Sequence, residues 1–247
     1  MVRLSLAYAT VVAFALSAIV EPAMSGETRA VLELFTSQGC SSCPPADKLL
    51  GELAADPSVV SISLPIDYWD YLGWKDTLAD PRHAARQRAY SGVRGDREVY
   101  TPQVVVNGSV HALGSNHGSI EKAIARSREN PATLSLPVKA SIANAGLSVS
   151  LPERGDVAAP AEVWITGVSR AITVTIQRGE NRGKTITYHN VARRWVKLGQ
   201  WQGKTNSWTI PLRDFAVDGV DSAAVFVQSG TVEKPASILG ATALRLR

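Results

Sequence analysis

The two cysteines of the chain share one short motif, Phe35-Thr-Ser-Gln-Gly-Cys-Ser-Ser-Cys-Pro-Pro45. The apolar run Ala30-Val-Leu-Glu-Leu-Phe35 leads into this motif and predicts a short strand. Two prolines end the motif, and residues 46–55 then carry leucines at helical spacing. Proline is favoured in the first turn of a helix, where its missing N–H costs nothing. We therefore expect both cysteines at the junction between a strand and a helix.

The spacing Cys40-Ser-Ser-Cys43 favours thiol–disulfide chemistry. The pair closes too short a loop to be a structural staple, so we expect it to react or to bind metal. At a helix N-terminus, exposed N–H groups and the positive end of the helix dipole lower the pKa of a thiol, which favours Cys40 as the nucleophile. Cys43, inside the first turn, is expected to be more buried and to attack a mixed disulfide formed at Cys40.

A metal site is the alternative explanation, because half of a zinc site has the same spacing. The chain has no second Cys-x-x-Cys to complete a set of four ligands. Its four histidines are scattered, although His111 or His117 could approach the thiols and complete a Cu(I) carrier. We expect redox chemistry, with neither a metal nor a cofactor.

The order of the elements predicts two parts. Up to about residue 130 the pattern is mixed α/β, with a strand over 59–66, a helix over 80–90 capped by Asp80, a hairpin over 101–112 that turns at Asn107-Gly108, and a helix over 119–128. Beyond Glu129-Asn-Pro131, apolar and polar residues alternate in seven or eight short runs, which is typical of an antiparallel sandwich. The sequence therefore predicts an α/β domain over residues 26–130 and an all-β antiparallel sandwich domain over residues 131–247.

The Thr101-Pro102 pair begins the first strand of the predicted hairpin. A cis peptide bond costs little only before proline. Because proline lacks an N–H, it leaves a gap in which the neighbouring backbone can pair with an extended substrate. The alternative is an ordinary trans proline at the start of a strand. Beside Cys40 and Cys43, we favour a role in binding substrate.

Residues 30–128 resemble the thioredoxin superfamily in the order of their elements: strand, Cys-x-x-Cys helix, strand, helix, then Thr-Pro, a valine strand and an Asn-Gly hairpin. More specifically, three motifs resemble the exported bacterial family called domain of unknown function 1223. They are the cysteine motif, Asp67-Tyr-Trp-Asp-Tyr-Leu-Gly-Trp-Lys75 and Tyr100-Thr-Pro-Gln-Val-Val-Val-Asn-Gly108. The resemblance implies a thioredoxin-like domain with redox capacity, followed by the sandwich domain, and it implies no particular substrate.

The resemblance also implies a role for Glu33, which lies within the first apolar strand. Thioredoxins bury an acid at a similar strand position, where it helps to move the proton of the second cysteine. Glu33 is therefore a candidate catalytic acid acting on Cys43, and burial would raise its pKa. The alternative is a surface Glu at a sheet edge. Three features depart from ordinary thioredoxins: Gly39 before the first cysteine, the inserted segment 68–77, and the all-β part.

An aromatic cluster follows the predicted strand over 59–66, at the strand end where α/β sheets usually bind ligands. Its members are Tyr68, Trp69, Tyr71 and Trp74. They either form an apolar wall that contacts substrate or pack the insertion and the face toward the β part. The residues that we expect to bind substrate are Ser41, Ser42, Tyr68, Trp69, Tyr100, Thr101 and Pro102.

The first 25 residues predict a secretory signal peptide. A basic start, an apolar run over 4–20 and small residues at 23 and 25 match its layout. Export to the periplasm or beyond is expected, with membrane attachment only if the segment stays uncleaved as an anchor. The net charge is +4 and the basic residues are scattered, so nucleic-acid binding is not expected.

Together these features predict an exported thiol–disulfide oxidoreductase that acts on protein thiols or disulfides. The sequence leaves the direction open between oxidase and reductase, because no charge lies between the cysteines to decide it. Two alternatives remain at this point. One is the Cu(I) carrier, and the other is a binding module whose β part recruits a partner without redox turnover.

Overall fold

The computed structural model describes residues 27–155, 157 and 159–246. The predicted signal peptide lies outside these residues. The described strands are β1 Ala30–Thr36, β2 Val59–Pro65, β3 Gln103–Val106, β4 Val110–Leu113, β5 Lys139–Ala143, β6 Gly146–Leu151, β7 Ala161–Thr175, β8 Thr185–Trp201, β9 Asn206–Pro211, β10 Ser222–Gly230 and β11 Pro235–Arg245. The described α-helices are α1 Pro44–Leu53, α2 Pro81–Arg94 and α3 His117–Ser127. None of these helices is long and apolar enough to cross a membrane.

The main sheet is mixed and has the strand order β11-β10-β7-β8-β2-β1-β3-β4. β1 is an inner strand of this sheet, parallel to β2 and antiparallel to β3. All seven residues of β1 and of β2 are buried. A parallel pair covered on both faces carries nearly continuous apolar sequence, which is the pattern that these two strands show.

The β strands that follow residue 130 do not all belong to a separate sheet. β8 pairs in parallel with β2 through Ser63 and Val191, so β7, β8, β10 and β11 extend the sheet begun by β1–β4. The remaining strands form a separate antiparallel sheet, β5-β6-β9. The predicted α/β and all-β parts therefore share one sheet. The pairing with β8 also covers the edge of β2 that does not face β1, which would otherwise be unpaired.

The helices begin where the sequence provides caps. Asp80 accepts the backbone N–H of Arg82 at 2.9 Å and caps α2, and Asn116 accepts that of Ser119 at 2.9 Å and caps α3. At α1 two prolines occupy the first turn, and Cys43 takes the N-cap position without a side-chain hydrogen bond. The N-terminal end of α1 therefore adjoins the cysteine loop.

The two faces of the main sheet carry different layers. One apolar cluster joins α1 and α3 to Leu32 and Leu34 of β1, and another places Tyr90 of α2 with Val31 and Phe35. The three-stranded sheet packs on the C-terminal half, on the face opposite α2, around the buried Trp201. Because β1 and β2 are adjacent and parallel, the loops that follow their carboxyl ends lie side by side at one end of the sheet.

Candidate functional site

Cys40 and Cys43 form a disulfide in the loop between β1 and α1, with their Cα atoms 5.4 Å apart. Backbone hydrogen bonds close this loop, from the Cys40 N–H to the Ser37 carbonyl at 3.1 Å and from the Cys43 N–H to the Cys40 carbonyl at 3.2 Å. Cys43 is fully buried and Cys40 is 3% exposed, whereas the two serines between them are exposed. Cys40 is therefore the less buried residue of the pair, and it adjoins the exposed serines.

Thr101 and Pro102 lie against the same loop, and the peptide bond between them is cis. The Ser42 hydroxyl donates to the Thr101 carbonyl at 3.5 Å and lies 3.4 Å from the sulfur of Cys40. A Cβ atom at Gly114 would lie 3.3 Å from the Cβ atom of Pro102 and equally close to a side chain in the first turn of α1. The structure thus brings together Ser42, Thr101, Pro102 and the disulfide.

Trp69 forms a wall beside the cysteine loop. Its indole N–H donates to the Thr101 hydroxyl at 2.8 Å, and its Cβ atom would lie 3.0 Å from a Cβ atom at Gly39. Larger side chains therefore do not fit before Cys40 without movement of Trp69. Tyr71 is 75% exposed and stacks on Trp69 with ring centroids 6.2 Å apart. Trp69 and Tyr71 are the two members of the aromatic cluster that offer a surface next to the site.

Other predicted aromatic residues have partners elsewhere. The Tyr68 hydroxyl donates to the Gln87 side chain of α2 at 3.1 Å, and burial raises the pKa of Tyr68. The Tyr100 hydroxyl lies 3.0 Å from Nδ1 of His111. Trp74 donates to the Gln38 side chain at 2.8 Å. Tyr68 and Trp74 pack the insertion, and the Tyr100 side chain is directed toward β4.

The two histidines proposed to approach the thiols are engaged with other groups. Nε2 of His111 lies 3.4 Å from Asp96, and Nε2 of His117 lies 3.8 Å from Glu121. Within the part of the chain that the structure describes, no group of three or more His, Cys, Asp and Glu side chains is arranged to hold a metal ion.

The structure places Glu33 on the sheet face opposite α1. Its carboxylate accepts hydrogen bonds from Arg86 at 2.6 Å and from the Tyr90 hydroxyl at 2.5 Å, both on α2. Side chains alternate between faces along a strand, so residues 32 and 34 face α1 while Glu33 faces α2. Because Cys43 begins α1 on the other face, this placement argues against the predicted role of Glu33 at the Cys43 proton.

Asp47 is a buried acid on the same side of the sheet as Cys43, and the sequence analysis did not identify it. It lies one helical turn after Cys43, and its backbone N–H donates to the Cys43 carbonyl at 3.1 Å. Residues four apart share one face of a helix. Burial raises the pKa of Asp47 well above its ordinary value, and the charge of Asp76 acts in the same direction.

Several buried polar atoms around Asp47 lack hydrogen-bond partners within the described residues. They are both carboxyl oxygens of Asp47, the Thr36 hydroxyl and the Tyr188 hydroxyl. Burial raises the pKa of Tyr188, as do the charges of Asp47 and Asp76. An unpartnered buried polar group costs about 1–3 kcal/mol of folding free energy, so this cluster lowers the stability of the fold.

Asp76 ties the aromatic insertion to the cysteine loop. Its carboxylate accepts the backbone N–H of Gln38 at 2.8 Å and that of Leu78 at 2.8 Å. Burial raises the pKa of Asp76 to about 6. A titrating carboxyl is therefore bonded to the backbone two residues before Cys40.

The hairpin tip between β7 and β8, residues 177–184, completes the site from the C-terminal part of the chain. The Asn181 side chain is fully buried and donates to the carbonyls of Gln38 at 3.0 Å and Cys40 at 2.8 Å. The Glu180 carboxylate accepts the Ser41 N–H at 3.3 Å. The sequence analysis did not identify this segment as part of the site, because contacts across about 140 positions leave no local signal.

Comparison with known proteins agrees with this architecture. A family model described as "Protein of unknown function (DUF1223)" matches residues 31–228. The X-ray crystal structure of protein AGR_C_4864 from Agrobacterium tumefaciens is similar to the chain, with 31% sequence identity and a TM-score of 0.79 over 89% of this chain and 95% of that chain. No curated protein matches the chain. The family match includes the cysteine loop, Thr101-Pro102 and the hairpin tip, and the chain belongs to the DUF1223 family.

Proposed function

We propose that this protein is a thiol–disulfide oxidoreductase that acts on protein thiols or disulfides through Cys40 and Cys43. The observation that carries the proposal is the position of the disulfide, at the N-terminus of α1 with Thr101 and Pro102 beside it. The two cysteines are only three positions apart. A disulfide stabilises a fold mainly by closing a long loop, so this one has little structural value.

The proposed fold assignment is a thioredoxin-like part, residues 26–130, joined to a β-sandwich part, residues 131–247. The strand order β2-β1-β3-β4, with β1 parallel to β2 and antiparallel to β3, supports the first assignment. Helices α1 and α3 on one face and α2 on the other support it further. The packing of the sheet β5-β6-β9 on the main sheet supports the second.

The proposed reaction is a two-step exchange. In the reductive direction, the Cys40 thiolate attacks a substrate disulfide, forms a mixed disulfide and releases one substrate thiolate. Cys43 then loses its proton and attacks the Cys40 sulfur, which re-forms the protein disulfide and releases the second substrate thiolate. Two electrons pass from the protein dithiol to the substrate, and the reverse sequence oxidises a substrate dithiol.

In this proposal Asp47 accepts the proton of Cys43 during the second step. The supporting observations are its burial, its position one turn after Cys43 and its raised pKa. A general base is most effective when its pKa lies near the working pH, and an ordinary aspartate is too acidic for that role. Asp47 would thus take the role in moving the Cys43 proton that the sequence had suggested for Glu33.

We place the reaction outside the cytoplasm. The support is the layout of the first 25 residues, with an apolar run between a basic start and small residues. Disulfides of partner proteins form and persist in exported compartments.

The test uses two variants that each remove the disulfide and differ only in which thiol remains. Cys43→Ser keeps the Cys40 thiol and is expected to accumulate mixed disulfides with a peptide disulfide, detected by intact-mass spectrometry. Cys40→Ser keeps only the buried Cys43 thiol and is expected to form almost none. Equal trapping by both variants, or none by either, would refute the proposal.

A further inference from the structure

The hairpin tip is fixed against the cysteine loop by one buried side chain. The Asn181 amide donates to the carbonyls of Gln38 and Cys40, at 3.0 and 2.8 Å. Its carbonyl oxygen accepts a hydrogen bond from the Lys184 ammonium group at 2.9 Å. Because Asn181 is fully buried, these bonds hold the exposed neighbouring residue, Glu180, in a defined place.

Glu180 occupies a backbone donor that directly follows Cys40. Its carboxylate lies 3.3 Å from the Ser41 N–H. Pro44 and Pro45 at the start of α1 have no N–H group, and the Cys43 N–H is bonded to the Cys40 carbonyl. The Ser41 N–H is therefore a donor in the cysteine loop that could stabilise a thiolate at Cys40. A thiolate at Cys40 and the Glu180 carboxylate are like charges that compete for the same region.

We propose that Glu180 biases the site toward its disulfide form, by disfavouring the reduced, thiolate form of Cys40 and so making the pair a better donor of electrons. This inference rests on the proposed function. Reduction of the disulfide adds two electrons and leaves a thiolate at Cys40 and a thiol at Cys43. Glu180 leaves the oxidised pair untouched and repels that thiolate, so the dithiol gives its two electrons to a substrate disulfide more readily.

The bias also favours one class of partner. A pair biased toward its disulfide form is a better reductant of partner disulfides and a weaker oxidant of partner thiols. Glu180, Ser41 and Ser42 are all exposed beside the disulfide. We therefore infer that partner disulfides, rather than partner dithiols, are the favoured substrates.

The test compares the wild-type protein with the Glu180→Gln variant, each at equilibrium with a glutathione redox buffer. Gln keeps an oxygen that accepts the Ser41 N–H and removes only the charge. The ratio of dithiol to disulfide at fixed glutathione composition is expected to rise about threefold, the size of an exposed charge interaction. Glu180→Lys is expected to raise the ratio further in the same direction.

Two controls separate charge from structure. Glu129→Gln removes an exposed carboxylate after the C-terminal end of α3, remote from the cysteine loop, and should leave the ratio unchanged. The Glu180→Gln effect should shrink in about 1 M salt, where exposed charges more than about 3 Å apart are screened. In a Cys43→Ser background, Glu180→Gln should also speed alkylation of Cys40 at neutral pH by about threefold.

The outcomes distinguish the two proposals. A wild-type pair that equilibrates with glutathione, together with an unchanged ratio in Glu180→Gln, overturns the role of Glu180 and leaves the exchange function standing. A shift of equal size in high salt overturns it as well. A wild-type pair that does not equilibrate with glutathione under native conditions overturns the exchange function itself.

Discussion

At the scale of single residues, Asp47 has the least expected environment in the molecule. Helix α1 buries its apolar side through Ala46, Leu50 and Leu53, and Asp47 is buried with them. An acid in the first turn of a helix is ordinarily explained by the helix dipole and stays exposed. Its position four residues after Cys43 was nevertheless readable, since Cys43, Asp47 and Leu50 fall on one helical face.

Replacing Asp47 by Asn should slow the second step of exchange. We expect Asp47→Asn to reduce the rate at which Cys43 resolves a Cys40 mixed disulfide by at least tenfold near neutral pH, the scale of a lost general base. Stopped-flow fluorescence with a labelled peptide disulfide measures this rate. The deficit should shrink as the pH rises, because hydroxide can then remove the thiol proton without the carboxylate. A deficit that persists unchanged at high pH would contradict the proton-transfer role.

Asp76 should leave a signature in the pH dependence of stability. Because burial raises its pKa to about 6, the folded chain holds this proton where the unfolded chain has lost it. The free energy of unfolding therefore falls as the pH rises from about 4 to about 6, by roughly 2–3 kcal/mol. Asp76→Asn should remove this part of the slope in urea titrations. Parallel profiles for wild type and variant would show that Asp76 titrates normally.

At the scale of elements, β1 serves both faces of the sheet. Its carboxyl end leads into the cysteine loop, while Glu33 binds Arg86 and Tyr90 of α2 at its centre. Burial lowers the pKa of Arg86, while the charge of Glu33 and the hydrogen bond to it act against this effect, and the net result is a raised pKa. The ion pair thus fixes α2 on the sheet.

Breaking this pair should affect stability and spare the chemistry. Glu33→Gln leaves a buried guanidinium without its charge partner, which typically costs about 3–5 kcal/mol. Glu121→Gln is a matched control, because its partner Arg29 and its own side chain are each 38% exposed, and it should cost less than about 1 kcal/mol. Chemical denaturation measures both. A Glu33→Gln protein that stays stable and loses exchange activity would restore the catalytic role first predicted for Glu33.

At the scale of the whole molecule, the shared sheet makes the two parts interdependent. One apolar cluster contains Phe35 and Ile62 from the first part together with Val168, Ala192 and Phe226 from the second. Cutting the chain between the parts would expose this cluster and the edge of β2. Unpaired edges and large exposed apolar surfaces lead to aggregation.

The fragment 27–130 is therefore expected to fail as an independent domain. It should be insoluble or bind hydrophobic dyes, and its amide protons should lack the protection of the intact protein. Hydrogen exchange and size-exclusion chromatography give the readout. A monomeric, cooperatively unfolding fragment with native exchange activity would contradict this expectation.

Local patterns predicted much of the fold. The strand–helix junction at the cysteines, the Asp80 cap of α2 and the hairpin turn are all present, and Asn107 and Gly108 both have positive φ angles. Each depends on residues within a few positions of one another. Short-range geometry is therefore what the sequence expresses directly.

The remaining features depend on distant contacts. β1 is buried on both faces, so no alternation of polar and apolar residues shows which face Glu33 takes. The junction of β2 with β8 involves one pair, Ser63 and Val191, and Asn181 reaches the cysteine loop from the far end of a long hairpin. Neither contact has a local sequence pattern. The sheet shared by the two parts and the contact of the hairpin tip with the cysteine loop were therefore not predicted.

The reduction potential of the Cys40–Cys43 pair is the most direct test of whether this disulfide is a reagent. We expect reversible two-electron reduction of the native protein at a potential between about −270 and about −120 mV. Equilibration with glutathione and thioredoxin buffers, followed by alkylation and mass analysis, measures it. A potential below about −300 mV, or reduction only after unfolding, would identify a structural disulfide and contradict the proposed function.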